Sequence, residues 1–169
     1  YQDYKCIHGI GYTRIESGYQ GITSSWQLFV PRKGLEEIWT IRVKNDSHRV
    51  RTIKIIPYAK TEVDGVCRPQ GYNVDVAGFR NDLNGIATRS YARFETNKWQ
   101  EISAYFLADQ EVSGYDTRKN AFIGTYGSEE RPDALCQGGC TSSDCIAEKI
   151  CFALEHTVTL NPGEEAEFH

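Results

Sequence analysis

Along most of the chain apolar and polar residues alternate with period two, the signature of strands that bury one face. Ser24, Trp26, Leu28 and Val30 fall on one side of one such segment, with Ser25 and Gln27 on the other. Trp39, Ile41 and Val43 alternate with Thr40, Arg42 and Lys44. The polar run Asn45-Asp46-Ser47-His48 follows, and Thr52-Ile53-Lys54-Ile55 resumes the pattern, so the spacing predicts a hairpin with a four-residue connection. Ile102, Ala104, Phe106 and Ala108 share a face, as do Leu154, His156, Val158 and Leu160; the latter segment closes on Asn161-Pro162-Gly163 and predicts a second hairpin. No window of ten or more residues has apolar spacing at i, i+3, i+4 and i+7, and turn residues recur every eight to twelve positions. The expected fold is therefore all-β, an antiparallel two-sheet β-sandwich. The single helical piece expected is a short turn at Pro132-Asp133-Ala134-Leu135, where proline suits the first position. Residues 61–85 are polar and dotted with glycine, and predict a long irregular loop.

Composition narrows the picture. A chain of 169 residues supports one domain with a real core. Net charge is −4, and no Lys/Arg cluster is interleaved with aromatics, so a nucleic-acid partner is not expected. No apolar run approaches the ~20 residues of a membrane span, and no signal-peptide pattern opens the chain. There is no methionine, the first residue is Tyr1, and the last alternating segment breaks off at His169, so the chain reads as one domain of a larger protein. Six cysteines, Cys6, Cys67, Cys136, Cys140, Cys145 and Cys151, leave three readings open. A cytoplasmic chain would keep them as thiols, the leading reading, and a secreted one would pair them. Zinc is the third, although the last four lack the C-x2-C pairs of structural sites, and no metal site is expected.

Candidate chemistry is sparse. A glycosidase needs two carboxyl groups facing each other across the scissile bond. The paired carboxylates here, Glu36-Glu37, Glu129-Glu130 and Glu164-Glu165, sit in turn-like settings, and neighbours on a strand point to opposite faces. They read as solvated, and no catalytic residue is expected in this chain. His156 lies in an apolar file and reads as a hydrogen-bonded, part-buried ring. His48 reads as a solvated turn residue, and His8, beside Gly9 and Gly11, as structural. Gln137-Gly138-Gly139 lacks the Lys-Ser/Thr that completes a phosphate loop. Ten Tyr, seven Phe and three Trp could supply rings for stacking on sugars. Trp26, Trp39 and most Phe alternate with polar positions and read as core. Trp99, after Asn97-Lys98, is the candidate for an exposed ring that binds saccharide.

Two ordered sets of motifs go further. Near the start stand His8-Gly9-Ile10-Gly11-Tyr12-Thr13, Tyr19-Gln20-Gly21-Ile22, Phe29-Val30-Pro31 and Glu37-Ile38-Trp39. Towards the end come Ser113-Gly114-Tyr115-Asp116-Thr117, Phe122-Ile123-Gly124, Pro132-Asp133-Ala134-Leu135, a Gly/Ser/Cys-rich loop, and Asn161-Pro162-Gly163 with an acidic run. In this order they resemble the N-terminal domain of cellobiose- and chitobiose-type phosphorylases, the inverting glycoside phosphorylases of glycoside hydrolase family ninety-four. The likeness covers roughly two thirds of the chain; residues 61–88 match poorly.

The resemblance implies a "super" β-sandwich of galactose-mutarotase-like type, packed in the parent enzyme against a separate (α/α)6 barrel that carries the general acid and the phosphate site. The parent would cleave a β-linked disaccharide or oligosaccharide with inorganic phosphate as co-substrate, need no cofactor, act in the cytoplasm and form a homodimer. A loop of this domain would reach the partner subunit's active site, where an arginine after a Phe-Gln pair holds the acceptor sugar. Gly78-Phe79-Arg80-Asn81 is the nearest equivalent, without the Gln. Arg80 and Asn81 are thus the expected acceptor-side residues, with Arg80 in the long loop, exposed and without a tight carboxylate partner. The chain alone is expected to be inactive. Rival readings are a free-standing carbohydrate-binding module of a secreted protein, supported by the aromatic content and even cysteine count, and a purely structural sandwich.

Overall fold

The computed structural model describes residues 2–60, 76–93 and 99–169, and these carry thirteen strands and two short helices. The expectation of an all-β sandwich class holds. The chain divides into two compact units, Tyr1–Ile53 with Thr157–His169, and Lys54–His156.

The first unit is built on a five-stranded antiparallel sheet of β1 (Gln2–Gly9), β2 (Tyr12–Tyr19), β3 (Ile22–Phe29), β4 (Ile38–Asn45) and β13 (Glu165–Phe168), in that order. β2 and β3 are joined by Gln20-Gly21, both left-handed (φ 49° and 77°), the geometry a two-residue hairpin turn requires. Trp26 stands between Ile15 and Ile41, Leu28 faces Trp39, and Ile41 faces Phe168, so these side chains share one face. Trp26 and Trp39 meet edge to face with centroids 4.9 Å apart. The other face carries Arg14, Glu16, Arg42, Lys44, Glu165 and Glu167. Glu16 pairs with Arg14 at 2.9 Å and Glu167 pairs with Arg42.

Neither predicted hairpin forms. The free edge of β4 is taken by β13, residues 41–44 against 165–168, whereas Thr52-Ile53-Lys54-Ile55 lies in β5 (Arg51–Ile55), a strand of another sheet. Likewise β12 (Ile150–Leu160) does not fold back on β13 through Asn161-Pro162-Gly163. One side chain accounts for both departures. Asn45 is fully buried, and its Nδ2 donates to the carbonyls of Arg49 (2.8 Å) and Leu160 (2.9 Å). Its Oδ1 accepts from the Ser47 amide (3.1 Å) and hydroxyl (2.6 Å). Its backbone N–H donates to the Glu164 carbonyl (2.9 Å), and its carbonyl accepts from Gly163 (2.7 Å). An Asn side chain that caps the following turn offers the backbone an alternative to the ladder, and here it lifts the chain off the sheet after residue 45.

β5 and β12 carry the chain between the units, in a sheet ordered β10-β12-β5 with β6 (Tyr58–Lys60) also on β12; β10 spans Gly114–Arg118. In the second unit a further antiparallel sheet runs β11-β7-β8-β9, comprising Cys145–Ile146, Val76–Arg80, Gly85–Arg93 and Trp99–Leu107. Ala77, Ile86 and Cys145 of this sheet pack on Ile150, Phe152 and Leu154 of β12, with Phe106 stacked on Phe152 at 5.5 Å. The opposite face of β12, Cys151 and Ala153, packs on Phe122 and Ile123 of helix α1 (Lys119–Ile123) and Ala134 of helix α2 (Asp133–Cys136). The expected helical turn at residues 132–135 is thus present as α2, with Pro132 capping it rather than occupying its first position. Helix α1, only five residues long, gave no periodic signal. The loop expected over residues 61–85 is corrected at its end: β7 occupies Val76–Arg80 and a tight turn follows, while residues 61–75 lie outside the described residues. Five residues interrupted by Gly78 are too few for period two to be read.

Asn45→Ala removes two donors and two acceptor contacts at a buried site. It is expected to destabilise the protein by about 3 kcal/mol, against about 1 kcal/mol for Ser47→Ala, measured by urea unfolding.

Candidate functional site

Arg80 ends β7 opposite Gly85, and the chain reverses through residues 81–84. The Leu83 amide donates to the Arg80 carbonyl (3.1 Å). Asn84 adopts a left-handed conformation (φ 48°), which asparagine tolerates. Its Nδ2 donates to the carbonyls of Ala108 and Gln110, both at 2.8 Å, fixing the turn to the end of β9. Gly85 is required there because an added Cβ would lie 2.4 Å from the Phe106 carbonyl oxygen. The turn is held by these hydrogen bonds, and it presents Arg80 and Asn81 on the surface.

Arg80 is exposed, as expected, but two details differ. It belongs to an ordered hairpin rather than an irregular loop, and it has a carboxylate of its own: Nε and Nη2 donate to the two oxygens of Asp82 at 3.0 and 2.8 Å. The reversal of the chain carries the side chain two residues on back to the guanidinium. The same hydrogen bonds hold the Asp82 carboxyl below its usual range and Arg80 above its own. Trp99 opens β9 opposite Arg93, eight residues from Leu107, which faces Gly85 beside Arg80. At ~3.3 Å per residue the two ends lie roughly 26 Å apart, so Trp99 and Arg80 do not share one sugar-sized site; the Trp99 side chain lies outside the described residues. A ring the sequence reading passed over is nearer. Tyr105, 59% exposed, faces Ala87 on the same side of the sheet as Arg80 and Gly85. Its signal was the file Glu101, Ser103, Tyr105, Leu107, opposite the apolar file that was read.

Elsewhere the polar groups serve the scaffold. Asp116, fully buried, accepts from the amides of Thr141 (3.0 Å) and Ser143 (3.1 Å) and from both hydroxyls (2.7 Å each). Glu155, 4% exposed, accepts from the Cys140 amide (2.7 Å) and pairs with Lys54 (2.8 Å), which also donates to the Gly138 carbonyl (2.5 Å). The amides of this Gly/Ser/Cys loop are thus directed at two internal carboxylates, which leaves residues 140, 141 and 143 no donors for a phosphate. His156 is buried and donates from Nδ1 to the Glu111 carbonyl (2.9 Å), His8 Nδ1 lies 3.0 Å from the Thr13 hydroxyl, and His48 is exposed. No three His, Cys, Asp or Glu side chains gather as a metal site among the described residues. Cys6, Cys136, Cys140, Cys145 and Cys151 are unbridged; Cys67 lies outside the described residues. Burial, reinforced by Asp116, pushes the Cys151 thiol up to about 12 and Cys140 well above its usual range. Because the thiolate is the reactive form, brief maleimide treatment of the native protein should modify exposed Cys6 and Cys136. By peptide mass mapping, Cys145 and Cys151 should react at least about tenfold more slowly until urea is added.

Residues 1–169 match the family model of the glycosyl hydrolase 94 supersandwich domain. A solabiose phosphorylase of Paenibacillus borealis is 35% identical over 167 residues, covering 98% of this chain and 22% of that enzyme. A 3-O-beta-D-glucopyranosyl-beta-D-glucuronide phosphorylase of the same organism is 31% identical over 173 residues (98% and 22%). An N,N'-diacetylchitobiose phosphorylase of Vibrio proteolyticus is 30% identical over 169 residues (98% and 21%). The chain spans about a fifth of the length of these curated relatives. With ordered motifs at both ends, an all-β fold and a match along its whole length, the chain belongs to the glycosyl hydrolase 94 supersandwich domain family.

Proposed function

We propose that the chain is the N-terminal β-sandwich domain of an inverting glycoside phosphorylase. The parent enzyme cleaves a β-linked disaccharide or oligosaccharide with inorganic phosphate. A phosphate oxygen attacks the anomeric carbon as the glycosidic C–O bond breaks, and a proton passes to the leaving oxygen from an acid outside this chain. The products are an α-sugar 1-phosphate and the shortened acceptor. The observation that carries this reading is the whole-length family match, and relatives named as phosphorylases support it.

Within the parent this domain packs on its (α/α)6 barrel, takes part in a homodimer, and lines the acceptor site through Arg80 and Asn81. Asp82 is no obstacle to that role, because an exposed ion pair is held weakly and sugar hydroxyls can replace it. Trp99, at the far end of β9, is not assigned to the same pocket. A cytoplasmic location is part of this reading, and the five unbridged thiols among the described residues support it over a secreted sugar-binding module.

The parent enzyme incubated with phosphate and a panel of β-linked disaccharides is expected to release an α-sugar 1-phosphate, and the 169-residue chain alone to release none. Release only of free sugars by water, or none from any member of the panel, would sink the assignment. In the synthetic direction Arg80→Ala should weaken acceptor use on the order of tenfold, the usual consequence of unpairing a polar group in a site. The melting temperature should stay nearly constant because the side chain is exposed. Unaltered acceptor kinetics would remove Arg80 from the site.

A further inference from the structure

The outward side of the β11-β7-β8-β9 sheet mixes small, aromatic and charged positions. One row across the strands is Gly78, Ala87 and Tyr105. A Cβ added at Gly78 would stand 3.2 Å from an Asp144 oxygen, so the exposed Asp144 carboxylate covers the first position of the row. Tyr105, 59% exposed, stands at the last. Two strand spacings of ~4.8 Å separate these ends, and the side chain between them is the half-buried Ala87 methyl. On one side the next row carries Arg80 and Leu107, with the Leu107 side chain over Gly85. On the other side it carries Val76, Arg89 and Ser103. The methyl is therefore the floor of a shallow hollow bounded by a carboxylate, a phenol ring and two exposed arginines.

Both ends of the row are positioned by their neighbours. Tyr115 stacks on Phe79 with centroids 5.0 Å apart and shares a hydrogen bond with the Asp144 carboxylate, so residues packed on the core orient that carboxylate. Asp82 chiefly, and Tyr105 after it, raise the Arg80 guanidinium above its ordinary value, which sets the phenol near that cation.

We propose that this hollow binds one neutral pyranose of the saccharide, its C–H face on the Tyr105 ring and the Ala87 methyl and its hydroxyls on Asp144 and Arg89, an assignment that rests on the reading of the parent as a β-glycoside phosphorylase. An aromatic ring beside a methyl calls for an apolar face, and a few polar groups at the margin fix its orientation. A carboxylate only accepts and a guanidinium only donates, whereas a sugar hydroxyl does both and serves either. Charges of both signs bound the hollow, so a ligand anion would meet Asp144 and a ligand cation Arg89; an uncharged sugar meets neither penalty.

Tyrosine nitration in the full-length parent tests the site. The enzyme is treated with tetranitromethane with and without each β-linked disaccharide of the phosphorolysis panel, and the Tyr105 peptide is quantified by mass. At least one disaccharide is expected to slow nitration of Tyr105 by about fivefold or more, since a ligand well above its Kd leaves few sites free. In the synthetic direction Tyr105→Ala should raise the acceptor KM about tenfold and Tyr105→Phe less than about twofold, because the ring and not its hydroxyl makes the contact. Asp144→Asn, which keeps the size and loses the charge, should raise it about fivefold. Nitration at one rate with every sugar, or an unchanged KM in Tyr105→Ala, overturns the site. So does a Tyr105 that reacts only in urea, since protein would then fill the hollow. Phosphorolysis assayed on the same samples separates the site from its premise. An active parent without sugar-dependent protection rejects the site alone, and protection in a parent that releases no sugar 1-phosphate rejects the phosphorolytic reading alone.

Discussion

The topology of the first unit depends on a single buried amide. Asn45 satisfies two carbonyls and accepts two donors with its side chain while its own backbone closes on residues 163 and 164. A buried amide with all these groups paired is stable, but the same group left unpaired would cost more than a typical hydrogen bond contributes. The arrangement is consequently close to all or none: either the chain leaves the sheet at residue 45 and the 161–164 turn docks there, or both turns lose their anchor. Because β13 then occupies the edge of β4, β5 is left to join a different sheet.

This is also why the strands were legible in the sequence and their partners were not. Alternation over residues 102–108 reports which face the strand buries, and the structure agrees; over 41–43 it agrees as well, whereas residues 24–28 are part-buried on both faces. Alternation says nothing about which neighbour supplies the hydrogen bonds, so two sequence-adjacent strands flanking a polar turn read as a hairpin by default. The competing information lay in one Asn whose contacts at Leu160 and Glu164 are more than a hundred residues away. β12 presents a related ambiguity. Residues 150–156 are buried throughout, between the β11-β7-β8-β9 sheet on one side and the two short helices on the other. A strand covered on both faces loses its period-two signature, and residues 150–154 accordingly form a continuous apolar run ahead of the alternating file from Leu154 to Leu160.

The family was legible for a different reason. Motif order survives where pairing cannot be deduced, because Gly and Pro positions mark turns whose backbone angles few residues tolerate. Residue roles did not survive as well. Asp116 is visible in the sequence only as a member of the Ser113–Thr117 motif and Glu155 carries no signal of its own, yet in the fold they organise the Gly/Ser/Cys loop. Trp99, an aromatic in a polar sequence context, lies at the opposite end of β9 from Arg80. Aromatic content alone cannot distinguish one end of a strand from the other.

The candidate acceptor-side turn shows how position and pairing separate. An exposed Arg–Asp contact contributes little to stability, so Asp82 does not hold the hairpin together. The hairpin is held by the Asn84 amide on the two carbonyls at the end of β9 and by the absence of a Cβ at Gly85. Backbone constraints thus place the guanidinium, and the carboxylate only occupies its donors. A planar fork held at a fixed location by its backbone, with a weakly bound internal partner, can exchange that partner for ligand hydroxyls without disturbing the sheet beneath. The contrast with Asp116 is instructive. That carboxylate is buried and its contacts organise the loop that covers it, so exchange there would mean local unfolding rather than binding. Of the two kinds of polar contact in this domain, only the surface kind is compatible with recognition, and Arg80 at the head of the β7–β8 turn belongs to it.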